Sequence, residues 1–215
     1  MDIVTAISIT ISIAAFILST VALWQTHFAK SKLVNTVGNL QIRLYFLQHK
    51  KEKWYLPTIE IPISLTNEGA RVGKVLGLRV RVWFPDLPDS QKYQLINPLC
   101  EVDYKKFDSM NDQLFEWTDE AVLGEWMPFT VLPKQTVTKH WVFQSRWDEV
   151  IIQDNVIFEL EIFTNVVKKW RKIAKWKATL SPEMWNTSIR GVSSFVFMEA
   201  NSEALTLENN NYKAK

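Results

Sequence analysis

Very little in this sequence belongs to the usual vocabulary of catalysis. It has one cysteine, Cys100, among 215 residues. That excludes an intramolecular disulfide and fits a reducing compartment. The three histidines, His27, His49 and His140, lie far apart, and none sits in an H-x-x-x-H or C-x-x-C setting. Their spacing therefore offers no metal site. The six glycines build no G-x-S-x-G elbow, no Walker loop and no G-x-G-x-x-G turn. No cofactor is implied. A dominant charge is lacking too. The 25 basic and 23 acidic side chains leave a formal net charge of +2. Bulk electrostatics then point to neither nucleic acid nor an acidic partner.

Charge is missing altogether from residues 3–24, IVTAISITISIAAFILSTVALW, which also lack proline and glycine. At 1.5 Å per residue such a run makes a helix of roughly 33 Å, against a bilayer core of about 30 Å. It is read as one transmembrane helix. A cleaved signal peptide needs a basic n-region, and only Met1 and Asp2 precede the run. No A-x-A site follows. A buried core helix rarely reaches this length without a charge. Trp24 suits an interfacial anchor. Lys30, Lys32 and Arg43, with His27 closer in, follow the span, whereas Asp2 precedes it. Basic flanks are retained in the cytoplasm, so the expectation is a single-pass cell-membrane protein, N-terminus outside and main domain cytoplasmic.

Thr5, Ser8, Ser12, Ala15, Ser19 and Ala22 follow one another at spacings of 3, 4, 3, 4 and 3. This is a heptad seam of small residues, which lets two helix backbones approach closely. It predicts a parallel homodimer or packing on another membrane protein. Against it, Ala6, Thr10, Ala14 and Thr20 lie off the seam. Ser and Thr also satisfy themselves by bonding to a carbonyl one turn back.

Residues 1–25 are thus the anchor, and residues 26–38 read as a helical stalk or linker. From residue 39 the hydrophobic period changes from 3.6 to 2. Residues 39–47, 58–66, 74–84, 136–144, 156–164 and 170–180 alternate as half-buried strands. Residues 93–96, 100–104, 129–133 and 195–198 are shorter candidates. Pro62 cannot donate to a ladder, which places its strand at an edge or a bulge. Residues 105–125 are a polar, acidic excursion with a short helix. Residues 201–215 form a polar tail read as disordered.

Seven or eight strands without long intervening helices predict an all-β, antiparallel two-sheet sandwich over residues 39–200. A small closed β-barrel is the alternative. The turn Asn67-Glu68-Gly69, followed by the run Phe129-x-Val131-x-Pro133-x-x-Thr136-Val137-Thr138-x-x-x-x-Phe143, resembles the immunoglobulin-like sandwiches of bacterial surface and membrane proteins. The whole chain is similar to uncharacterised single-span proteins with one N-terminal anchor and one β domain. That resemblance implies an immunoglobulin-like fold and no particular activity.

The candidate chemistry is then local. The carboxylates Asp103, Asp108, Asp112, Glu116, Asp119, Glu120 and Glu125 lack the D-x-D-x-D-G order of a calcium loop. In a cleft, a pair of them would suit a membrane-bound hydrolase. Residues 115–126, FEWTDEAVLGEW, carry two Glu-Trp pairs nine residues apart. Trp117, Glu125 and Trp126 are a candidate recognition loop, or rings closing the mouth of a sandwich. The densest cluster is Lys168, Lys169, Trp170, Arg171, Lys172, Lys175, Trp176 and Lys177. As a strand it puts Trp170, Lys172, Ala174, Trp176 and Ala178 on one face, and Arg171, Ile173, Lys175 and Lys177 on the other. Cations with Trp suit an anionic lipid surface, an acidic protein or, less favoured, single-stranded nucleic acid. They also suit an edge strand guarded by lysines. The function expected is a non-enzymatic, membrane-tethered binding or assembly module. The alternatives are the hydrolase and a membrane-tethered nucleic-acid or nucleotide sensor.

Overall fold

The computed structural model describes residues 2–49, 52–109, 121–189 and 195–197. The first helix, α1 (Ile3–Leu23), runs on through a π-helical turn, Trp24–Phe28. These 26 residues are long and apolar enough to cross a membrane, and their most apolar stretch buries nothing inside the protein. The hydroxyls of Ser12, Thr20 and Thr26 donate to the carbonyls of Ser8, Phe16 and Ala22 at 2.8–2.9 Å. Such back-bonding satisfies these hydroxyls within the helix itself.

The helical stalk expected through residue 38 ends at Phe28. Ala29 turns extended, and Leu33–Val37 is a strand, β1, with Leu33, Asn35 and Val37 buried. Its period-2 burial and its pairing with a long neighbour outweigh the helical continuation. The β domain therefore starts at Leu33, ahead of residue 39.

Eleven more strands are described: β2 (Leu40–His49), β3 (Glu52–Asn67), β4 (Gly73–Trp83), β5 (Tyr93–Ile96), β6 (Pro98–Val102), β7 (Val122–Glu125), β8 (Phe129–Val131), β9 (Thr136–Gln144), β10 (Gln153–Thr164), β11 (Arg171–Leu180) and β12 (Phe195–Phe197). Two short helices join them, α2 (Tyr104–Ser109) and α3 (Pro182–Ile189). All pairings are antiparallel. One sheet runs β12-β2-β3-β9-β6-β7, with β1 also on β3; the other runs β11-β10-β4-β5, with β8 also on β4. Both sheets are open, so the closed barrel gives way to two layers. Ile42, Ile59, Ile61 and Phe143 of the first sheet share one core with Val80, Val82, Phe158 and Trp176 of the second. Trp185 on α3 closes the core at one end, its indole N–H donating to the Ile151 carbonyl at 2.7 Å.

Pro62 lies in a central strand, contrary to expectation. β2 pairs β3 up to Glu60, and β1 pairs it from Ile63. Pro62 falls where one neighbour hands over to the other, so its missing N–H interrupts neither ladder on that side. Its carbonyl accepts from Gly38, in the β1–β2 turn, at 2.9 Å.

Asn67 ends β3 and is fully buried. Its Nδ2 donates to the Arg71 and Val131 carbonyls at 2.8 and 3.0 Å. Its Oδ1 accepts from the Gly69 and Lys32 amides at 3.0 and 3.3 Å. One side chain thus ties the segment leaving α1 to two turns. Gly69 packs so closely here that a Cβ would lie 2.2 Å from the Lys30 carbonyl oxygen.

Candidate functional site

In the second sheet β10 lies between β4 and β11, and its outward residues form crosswise rows. Glu161 stands between Arg79 and Lys172, Glu159 between Arg81 and Lys175, and Ile157 between Trp83 and Lys177. β5 extends the rows, Leu95 beside Arg81 and Tyr93 beside Trp83. Arg79 Nε meets Glu161 Oε2 at 2.6 Å, and Arg81 Nη2 meets Glu161 Oε1 at 2.8 Å. Lys172 Nζ reaches Glu159 Oε1 at 3.3 Å. Lys175 and Lys177 make no ion pair among the described residues. Five cations against two carboxylates leave the face positive. The rows enclose an open depression of about 480 Å³.

Aromatic rings border this face. Trp170 is 38 % exposed, with the Arg79 guanidinium 4.1 Å from its ring centroid and Phe163 at 5.7 Å. Gly77 makes room for it, since a Cβ there would come 2.8 Å from Trp170 Cη2. Trp83, Tyr93 and Leu95 are also exposed. The combination of positive charge and open rings is chemistry for binding.

A register shift corrects the face assignment made from alternation. Leu160 pairs with Ala174, but Glu161 pairs with Lys172. Ile173 is the extra residue of this bulge, so Ile173 and Ala174 are both buried. Lys172 thereby turns outward to join Lys175 and Lys177. Trp176 is 1 % exposed and belongs to the core, not to the surface. Lys168 and Lys169 are exposed in the turn between β10 and β11, beside this face, and Arg171 is half-buried at the strand's start.

Other sequence candidates are scattered. Trp117 lies outside the described residues, as does most of the acidic excursion. Asp103 accepts from the Lys105 amide at 3.0 Å and starts α2. Glu125 is exposed at the end of β7. Trp126 packs edge-on against Trp141 at 4.7 Å and against Phe129 at 6.0 Å. Thr5, Ser8, Ser12, Ala15, Ser19 and Ala22 are exposed along α1. No group of three or more metal-ligating side chains occurs among the described residues.

A second polar cluster escaped sequence reading. Glu60 is buried on the outer face of β3, where alternation placed a solvated residue. His140 Nδ1 stands 2.9 Å from Glu60 Oε1, and the imidazole stacks on Tyr104 at 5.1 Å. Nearby Cys100, Val102, Ala121 and Val142 make a small apolar cluster, with Tyr45 against it. Burial pushes the Cys100 thiol up to about 11, so it stays protonated and is no nucleophile. Burial also pushes the Tyr45 phenol up, against the opposing pull of Arg43.

No protein-family model matches the chain. No curated protein matches it either. Among solved structures, a Bordetella pertussis protein given the name ApaA aligns over 71 % of this chain and 95 % of its own, at 9 % identity and TM-score 0.33. The structural genomics target SoR45 aligns over 85 % and 97 %, at 10 % identity and TM-score 0.32.

Proposed function

We propose that this protein is a non-enzymatic, membrane-tethered binding module. Its recognition face is the outer wall of the second sheet, and its partner there is an acidic protein surface. The observation behind this is the row structure of Arg79, Arg81, Lys172, Lys175 and Lys177 around Glu159 and Glu161, with Trp83, Tyr93 and Trp170 open beside it. Aromatic rings and arginine are the residues that carry interface energy. Nucleic acid is the weaker alternative, because Arg79, Arg81 and Lys172 are engaged by Glu159 and Glu161, which leaves Lys175 and Lys177 as too short a run of cations to track a phosphate backbone. α1 spans the membrane once, with the β domain on the cytoplasmic side, a direction supported by Lys30 and Lys32. The two-sheet domain serves as an immunoglobulin-like scaffold that presents a wall and end loops.

The test uses the full chain in zwitterionic nanodiscs and a Glu- and Asp-rich peptide carrying aromatic residues. Binding should weaken with salt and fall about tenfold or more in K175E/K177E, which breaks no described ion pair. Equal binding by the variant removes this wall from the function. Through its small-residue seam α1 further forms a parallel dimer. S12L/S19L should abolish dimers in a membrane two-hybrid assay, and unchanged dimers exclude the seam.

A further inference from the structure

Four segments remote in sequence meet at one end of the β domain. The chain leaves α1 there, held by the Ala70 amide on the Ala29 carbonyl at 3.3 Å and the Glu68 amide on the Lys32 carbonyl at 2.8 Å. The turn after β8 joins through the Lys134 amide on the Asn67 carbonyl at 2.8 Å. β4 begins alongside, Gly73 lying so near Leu33 that a Cβ would approach it to 2.6 Å. The β10–β11 turn completes the end, where Asn165 and Lys74 exchange bonds of 2.8 and 3.1 Å.

This end is strongly basic. Lys30, Arg71, Lys74, Lys134, Lys168 and Lys169 are all exposed on it. Lys32 adds a seventh cation and pairs with Glu68 at 3.0 Å. Glu68 is the one carboxylate within residues 29–37, 64–76, 129–138 and 164–170. Val72, Leu132 and Val166 are exposed among the cations, and Trp24 and Phe28 stack at 5.7 Å on the helix just before them. The opposite end is mixed in charge: its loops, residues 84–92, 145–154 and 181–186, carry Asp86, Asp89, Asp148, Glu149, Asp154 and Glu183 against Lys92 and Arg146, and the start of β3, with Glu52 and Lys53, lies beside them. The 11 residues of β4 separate the two ends by roughly 35 Å. That is several Debye lengths of about 8 Å, so the far acids do not cancel the near cations.

We infer that the anchor-proximal end of the β domain is a docking base for the anionic headgroups of the leaflet it adjoins. The inference rests on α1 being a membrane span. Once the span is inserted, the base lies within reach of that leaflet, and its charge is complementary to phosphatidylserine-like lipid. Exposed valine and leucine among lysines suit the headgroup layer, where the apolar part sinks and the ammonium stays wet. Docking orients the domain, so that the wall of the second sheet stands away from the bilayer and open to a partner.

The test places an environment-sensitive fluorophore on V166C in the full chain; Cys100 is buried and stays unlabelled. The protein is reconstituted in phosphatidylcholine liposomes, with and without phosphatidylserine, each containing a headgroup quencher lipid. Quenching is expected only with phosphatidylserine, and raised salt should remove it. A probe on D148C should stay unquenched throughout. Each cation near an anionic leaflet is worth roughly fivefold in partition, so K74Q/K168Q/K169Q should cut the docked-to-undocked ratio on the order of 100-fold. Equal quenching in both liposomes overturns the inference. So does its absence while carbonate fails to extract the chain. Carbonate extraction of the chain would instead overturn the membrane span itself, which is a separate result.

Discussion

At the scale of single residues, Asn67 does more than any other side chain to join the segment leaving α1 to the domain. All four of its hydrogen-bonding positions are used, and it is fully buried. Asn67→Ala leaves two carbonyls and two amides unserved and should cost about 2–4 kcal/mol in chemical denaturation. Asn67→Asp should be worse, because a carboxylate oxygen would face carbonyls that now accept. In sequence this residue looked like the first position of a turn, and nothing marked it as a hub. Cys100 gives a pH signature. Its folded thiol is pushed up to about 11, above its ordinary value, so the folded state holds its proton where the unfolded chain loses it. Stability should therefore be unaffected below about pH 9 and fall between pH 9 and 11, by up to about 2 kcal/mol. Cys100→Ala should flatten that limb of the pH–stability curve; an unchanged slope would assign it to other groups.

At the scale of elements, alternation located most of the strands. The strand at 136–144 coincides with β9, and the one at 93–96 with β5. It failed where the physics was not local. β1 was read as helix because five residues next to a long apolar span carry little signal of their own; only β3 makes them a strand. The bulge at Ile173 depends on the pairing of β10 with β11, so alternation within β11 could not show that Lys172 turns outward. The ion-pair rows follow from that pairing. Glu161 is buried between Arg79 and Arg81, and removing it leaves two guanidinium groups facing each other. Glu161→Ala should cost about 2 kcal/mol in a thermal melt, less than for a fully buried pair because Arg81 reaches solvent. Recovery in E161A/R79A would show that the unpaired charge, not lost packing, is the cause.

At the scale of the whole molecule, α1 and the β domain are separable. α1 lends nothing to the core, whereas β1 completes one side of β3. A chain beginning at Ala29 should be soluble and β-rich by circular dichroism, with an unfolding transition close to that of the full chain in detergent. A chain beginning at Asn39 should lose several kcal/mol and expose the buried row Ile63, Leu65 and Asn67. If both truncations unfold alike, β1 is not part of the folding unit.

The sequence by itself determined the apolar helix, the β-rich domain behind it, and most of the stretches that become strands. These are encoded in period and composition, which are local. Only the tertiary structure decided which strands lie together, that Pro62 sits at a handover between neighbours, and that Trp176 is core while Lys172 is surface. It also decided that lysines from four distant segments gather where the chain leaves α1. Strand pairing acts between residues far apart in the chain, and no local periodicity carries that information.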